Sequence, residues 1–71
     1  MSSLDQSLGR VHDSTQRLYQ AALENADRDL IRTRRAAQIS WANEARSAGA
    51  TEEMIAATIQ RALQESTVAA S

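Results

Sequence analysis

The chain has no cysteine, no proline and no lysine, only two glycines and a single histidine. Each absence removes a class of protein. Without cysteine there is neither a disulfide staple nor a thiolate metal site, and His12 alone cannot build a zinc centre. Gly9 and Gly49 stand singly, which excludes a glycine-rich phosphate loop of the Walker type. One histidine and no carboxylate pair in an apolar setting leave no matched acid and base. The composition therefore reads as that of a binding protein and not an enzyme, with no cofactor, no metal and no small-molecule substrate expected. No apolar run approaches the roughly 20 residues that span a bilayer. The start, Met1-Ser2-Ser3-Leu4-Asp5, lacks the basic and apolar regions of a signal peptide. The expected location is cytoplasmic, without a membrane partner.

The lack of proline, abundant alanine and few β-branched runs predict an all-α fold. The 71 residues make one domain, 1–71, and so short a chain buries too small a fraction of its surface for comfortable stability alone. A homodimer is the first expectation. Leu4, Leu8, Val11, Thr15, Leu18 and Ala22 alternate spacings of four and three along one helix seam. That pattern predicts a dimerisation helix over about 3–24, with Leu4, Leu8, Val11, Leu18 and Ala22 at the contact, although the same seam can bury against the chain's own later helices. Ser3 with Gln6 suggests a capping box, while Gly9 and the pair Asp13 and Gln16 suggest that the first turns are frayed or separately capped.

Asn25-Ala26-Asp27 reads as a break, with Asn25 at a helix end and Asp27 capping the next helix. A second helix is expected over 28–37, a turn at Gln38-Ile39-Ser40, and a third helix over 41–48, although a continuous helix is also open. Gly49 is a firmer stop. Thr51 with Glu52 and Glu53 starts a fourth helix, 51–66, that gathers Ile55, Ile59, Ala62 and Leu63 on one face, and a frayed tail is expected over 67–71.

Charge is what the chain has in an uneven supply. The formal net charge is −1, yet Arg28, Arg32, Arg34, Arg35 and Arg46 face only Asp29 and Glu44 within residues 28–46, and both flanks are net acidic. A basic centre in an acidic frame is the electrostatic footprint of a polyanion site. Helical spacing places Arg28, Arg32 and Arg35 on one face with Arg34 nearby, suited to phosphates. On the expected third helix Ser40, Asn43 and Ser47 share a polar side with Arg46 at its flank, opposite Trp41, Ala42, Ala45 and Ala48. Asparagine can bond adenine and arginine guanine in bidentate fashion, so this side carries the groups of a major-groove reader. Trp41 and Met54 read as core, Tyr19 as interface packing and His12 as an exposed residue with no role.

The segments Arg28-Asp29-Leu30-Ile31-Arg32, Ala36-Ala37-Gln38-Ile39-Ser40-Trp41-Ala42, and Ala45 with Ala48-Gly49-Ala50-Thr51 resemble the helix-turn-helix of small actinobacterial DNA-binding proteins. In size and layout the chain is similar to the nucleoid-associated proteins of Streptomyces that bind GATC-containing DNA. Over residues 27–66 the resemblance implies a helix-turn-helix region, and for the whole chain a dimeric, nucleoid-located protein and global transcriptional regulator with modest sequence preference. Gln38 and Glu44 depart from the pattern, standing where glycine and an apolar residue are usual. Two registers compete. In one, Ala45, Gly49 and Ile55 make the helix from Thr51 the reader; in the other, the helix of 41–48 reads and that of 28–37 supports it. Electrostatics favours the second, since the first sends Glu52 and Glu53 toward phosphates. The expected partner is double-stranded DNA; the alternative class is a helical protein-interaction adaptor or anti-σ-type regulator docking through its heptad seam.

Overall fold

The computed structural model describes residues 3–70, with side chains through residue 68. Three helices, α1 (Ser3–Leu23), α2 (Arg28–Ser47) and α3 (Glu52–Ala70), account for nearly all of it. The all-α expectation holds, but the helices are fewer and longer than the sequence suggests.

Both joints use the same chemistry. After α1, Asn25 takes a left-handed backbone at φ 52°, and the amides of Asn25 and Ala26 donate to the carbonyls of Ala22 and Ala21 at 3.2 and 3.0 Å. After α2, Gly49 sits at φ 108°, and the amides of Gly49 and Ala50 donate to Arg46 and Ala45 at 3.0 and 2.9 Å. This paired reach-back satisfies the carbonyls that a helix end leaves open. Each joint then closes with a cap. Asp27 accepts from the amide of Asp29 at 3.3 Å, and Thr51 Oγ1 accepts from the amide of Met54 at 3.1 Å. Asn25-Ala26-Asp27 and Gly49-Ala50-Thr51 are thus two versions of one stop-and-restart unit.

The turn expected at Gln38-Ile39-Ser40 does not form; the helices read as 28–37 and 41–48 are one helix, α2. Ser40 resembles an N-cap, but no glycine or asparagine precedes it to end a helix. Gln38 instead donates its carboxamide to Thr15 Oγ1 on α1 at 2.7 Å, which holds the middle of α2 in place. Similarly, α1 runs unbroken through Gly9 and Asp13, so no second start occurs there. Helix α3 continues beyond Ser66, with Thr67 Oγ1 donating to the Leu63 carbonyl at 2.9 Å; of the tail expected over 67–71, Ser71 lies outside the described residues.

Helix α1 is the spine, and α2 and α3 each pack far more against it than against one another. Val11, Ala42, Ala45 and Ile55 form the core, with Leu8, Trp41, Ala50 and Ile59 packed around them. Trp41 and Ala42 with Ala45 thus face inward, as the alanine side of that segment predicts. Met54 is half-buried, and Leu63 is exposed at the edge of the face expected to bury it. Val11 is fully enclosed and Leu8 packs beside it, so these two members of the proposed dimer seam serve this chain's own core. Leu4 and Leu18 are half-buried and Ala22 is exposed. Toward the end of α3 its seam with α1 becomes polar. His12 Nε2 meets Glu65 Oε2 at 2.5 Å, Gln16 donates to the same oxygen at 3.4 Å, and Tyr19 Oη lies 3.4 Å from Thr67 Oγ1. His12 is therefore half-buried and partnered, contrary to its reading as a bystander.

Candidate nucleic-acid interface

A continuous α2 changes how the arginines are arranged. At 3.6 residues per turn, Arg28, Arg32, Arg35, Ile39, Asn43 and Arg46 fall within a narrow stripe, roughly 100° around the helix from the buried side that carries Gln38 and Ala45. Arg28, Arg32 and Arg35 are exposed, and among the described residues no carboxylate pairs with them. Neither Arg28 nor Arg32 uses Asp29. The stripe extends roughly 27 Å from Arg28 to Arg46 at 1.5 Å per residue.

Ser40 and Ser47 are exposed on one flank of the stripe, next to Asn43. Arg46 behaves differently from the other arginines. Its Nε and Nη2 donate to the two carboxylate oxygens of Glu52 at 2.5 and 3.1 Å, and its Nη1 donates to Asn43 Oδ1 at 2.6 Å. This fork ties the end of α2 to the start of α3. The hydrogen bond from Arg46, aided by its charge against slight desolvation, holds the Glu52 carboxyl below its usual range, and the same bond raises Arg46. Glu52 is thereby neutralised beside the stripe, while Asn43 keeps its amide donors but has its carbonyl engaged.

Arg34 does not join the stripe. It is half-buried and points to the α1–α2 groove with Arg10 and Arg17. Sequence reasoning placed it among phosphate-binding neighbours of Arg35, but one residue is roughly 100° of helix. It also missed Ile39, which is 54% exposed within the stripe. The spacing of four from Arg35 to Ile39 to Asn43 was the available signal, obscured by reading a turn there.

Among the described residues no helix is long and apolar enough to cross a membrane, and no cluster of acidic, histidine or cysteine side chains is arranged to hold a metal ion. The only joint placed between α2 and α3 is Ala48-Gly49-Ala50-Thr51, so the register with a reading helix at 41–48 behind a separate helix at 28–37 has no turn to use. Comparison of the chain with protein-family models, curated proteins and solved structures found no match.

Proposed function

We propose that the chain binds duplex DNA through the outer face of α2, as a small nucleoid-associated or global regulatory protein of the kind its sequence resembles. The observation that carries this reading is the unpaired stripe of Arg28, Arg32 and Arg35 along one uninterrupted helix. Guanidinium forks suit phosphate oxygens, and phosphate contacts supply most of the affinity of such proteins. Ile39, Ser40, Asn43 and Ser47 extend the same face with an apolar group for thymine methyls and polar groups for base edges. Helix α2 is the reading element here, and the first turn of α3, with Glu52 and Glu53, lies beside its C-terminal end, where Arg46 holds Glu52. The Arg46–Glu52 fork supports the arrangement by pairing the Glu52 charge at the end of the stripe. No catalytic step is involved. A second copy completes the proposal, since two stripes related by two-fold symmetry would address a palindromic site.

Fluorescence anisotropy with labelled duplexes over a salt series tests it. If three phosphates are neutralised per chain, log K should fall against log salt with a slope of about −3. Replacing Arg32 and Arg35 together with alanine should reduce that slope to about −1 and weaken binding across sequences. Salt-independent affinity, or no retarded band with random duplex at low salt, would leave the adaptor reading in its place.

A further inference from the structure

On the side of α2 away from the stripe, α1 and α2 enclose a groove of about 110 Å³ lined by Arg10, Asp13, Ser14, Arg17, Arg34 and Trp41. At about 30 Å³ per water this is room for about four waters, a volume suited to one or two phosphoryl groups. Three guanidiniums border it. Arg10 and Arg17 stand two turns apart on α1, roughly 10 Å along the helix, and Arg34 enters from α2. Among the described residues none of the three has a carboxylate partner. The one acid in the lining, Asp13, has its Oδ1 3.5 Å from His12 Nδ1. Ser14 Oγ already donates to the Val11 carbonyl at 3.1 Å, so the charged donors of the groove are the three guanidiniums. Arg17 and Arg34 also border a separate hollow that includes Glu24, whose carboxylate accepts from Gln20 at 2.9 Å.

Three arginines without carboxylate partners border one concavity in a chain of net charge −1, and Asp13 is the one lining acid that offsets their mutual repulsion, which an anion would relieve further. Arg34 is half-buried, so its charge is less screened than those of the stripe. Arg10 also stacks over the Trp41 ring, 5.3 Å from its centroid, which fixes one wall of the groove. On the far side of that pair lies a second hollow of about 320 Å³, lined by Ser3, Gln6, Ser7 and Glu44 as well as Arg10 and Trp41. One side offers cations and the other hydroxyls, an amide and a carboxylate.

We propose that this groove binds the phosphoryl end of a small phosphorylated molecule, with Arg10, Arg17 and Arg34 clamping the phosphate and the hydroxyl-bearing body lying over Ser7 and Gln6. The site is independent of the DNA-binding stripe and does not rest on it. DNA backbone phosphate carries the same chemistry, and the test separates the two sources.

Trp41 is the only tryptophan, so its fluorescence reports on the groove directly. Titration of the full chain with inorganic pyrophosphate and with ADP should give a saturable change, with ADP the tighter of the two. Arg34→Gln and, separately, the more exposed Arg17→Gln should each weaken pyrophosphate at least tenfold. Arg61→Gln, on the outer side of α3, should change it less than twofold, and Arg32→Ala with Arg35→Ala should leave it unaltered. Absence of a saturable response, or equal weakening by Arg61→Gln, overturns the site. A short blunt duplex that competes with pyrophosphate and loses affinity equally in Arg17→Gln would assign the groove to the DNA backbone and overturn the small-molecule proposal.

Discussion

Arg32 and Arg46 are both exposed arginines on one helix, yet their surroundings give them different tasks. Arg32 has no acidic partner among the described residues, whereas Arg46 is clamped on Glu52. Replacing Glu52 with glutamine should release Arg46 and remove an acidic charge next to the stripe. The expected result is tighter duplex binding and a salt slope steeper by about 1, read by anisotropy. The pH dependence has a definite sign. A carboxyl whose folded value is lowered contributes stability above its ordinary unfolded value and loses it as pH falls through the lowered folded value. The thermal midpoint should therefore fall on acidification below about pH 4, and Glu52→Gln should flatten part of that fall. Both side chains lie at the surface and are screened by solvent, so the change is small. Asn43→Ala separates readout from attraction: it should relax sequence preference, whereas Arg32→Ala should lower affinity for all duplexes alike. A selection from random duplexes measures the difference.

The elements show why some of the fold is legible in the sequence and some is not. Both joints were legible, because Asn25 and Gly49 end helices and Asp27 and Thr51 begin them through local chemistry. The continuity of α2 stayed open, since Ser40 offers a cap while no glycine or asparagine ends the helix before it, and the bond from Gln38 to Thr15 across 23 positions is a contact that no local pattern shows. The stripe was only half legible for the same reason: a helix broken at Gln38 separates Arg35 from Asn43 and hides Ile39. The groove arginines were hidden more completely, because pairing Arg17 with Arg34 requires the antiparallel register of α1 and α2. Gln38→Ala tests the link that joins them. It removes a partly buried donor to Thr15 while Thr15 keeps its own bond to the Val11 carbonyl at 2.8 Å, so the expected cost is about 1 kcal/mol by urea unfolding. Gly49→Ala places a Cβ where nothing lies within 4 Å, so its penalty comes from backbone strain at φ 108° alone, about 1 kcal/mol or somewhat more. Asn25→Gly, at a left-handed position, should be close to neutral.

At the scale of the whole molecule the core is thin. Its largest fully enclosed side chains are Val11 and Thr15, and the remaining buried positions are mostly alanine. Alanines let the helices approach closely but bury little apolar area, at roughly 25 cal/mol for each Å² removed from water. Meanwhile Leu63 and Val68 remain 38% and 74% exposed on α3, among uncharged Gln60, Gln64 and Thr67. That face has few charges to repel its own copy, and it is clear of both the stripe and the groove. We propose that the second copy docks there, and not on the Leu8–Val11 part of α1 already used inside the chain. Binding of folded chains to one another stabilises them by mass action, so the thermal midpoint should rise with protein concentration. Leu63→Glu should remove that rise and shift sedimentation equilibrium to the monomer. The same variant should still bind a single duplex half-site, because α2 is untouched, but should lose the gain from a palindrome. A concentration-independent midpoint together with a monomer at all concentrations would assign the whole stability of the fold to α1 and its two dependants, and would leave the α2 stripe to act singly.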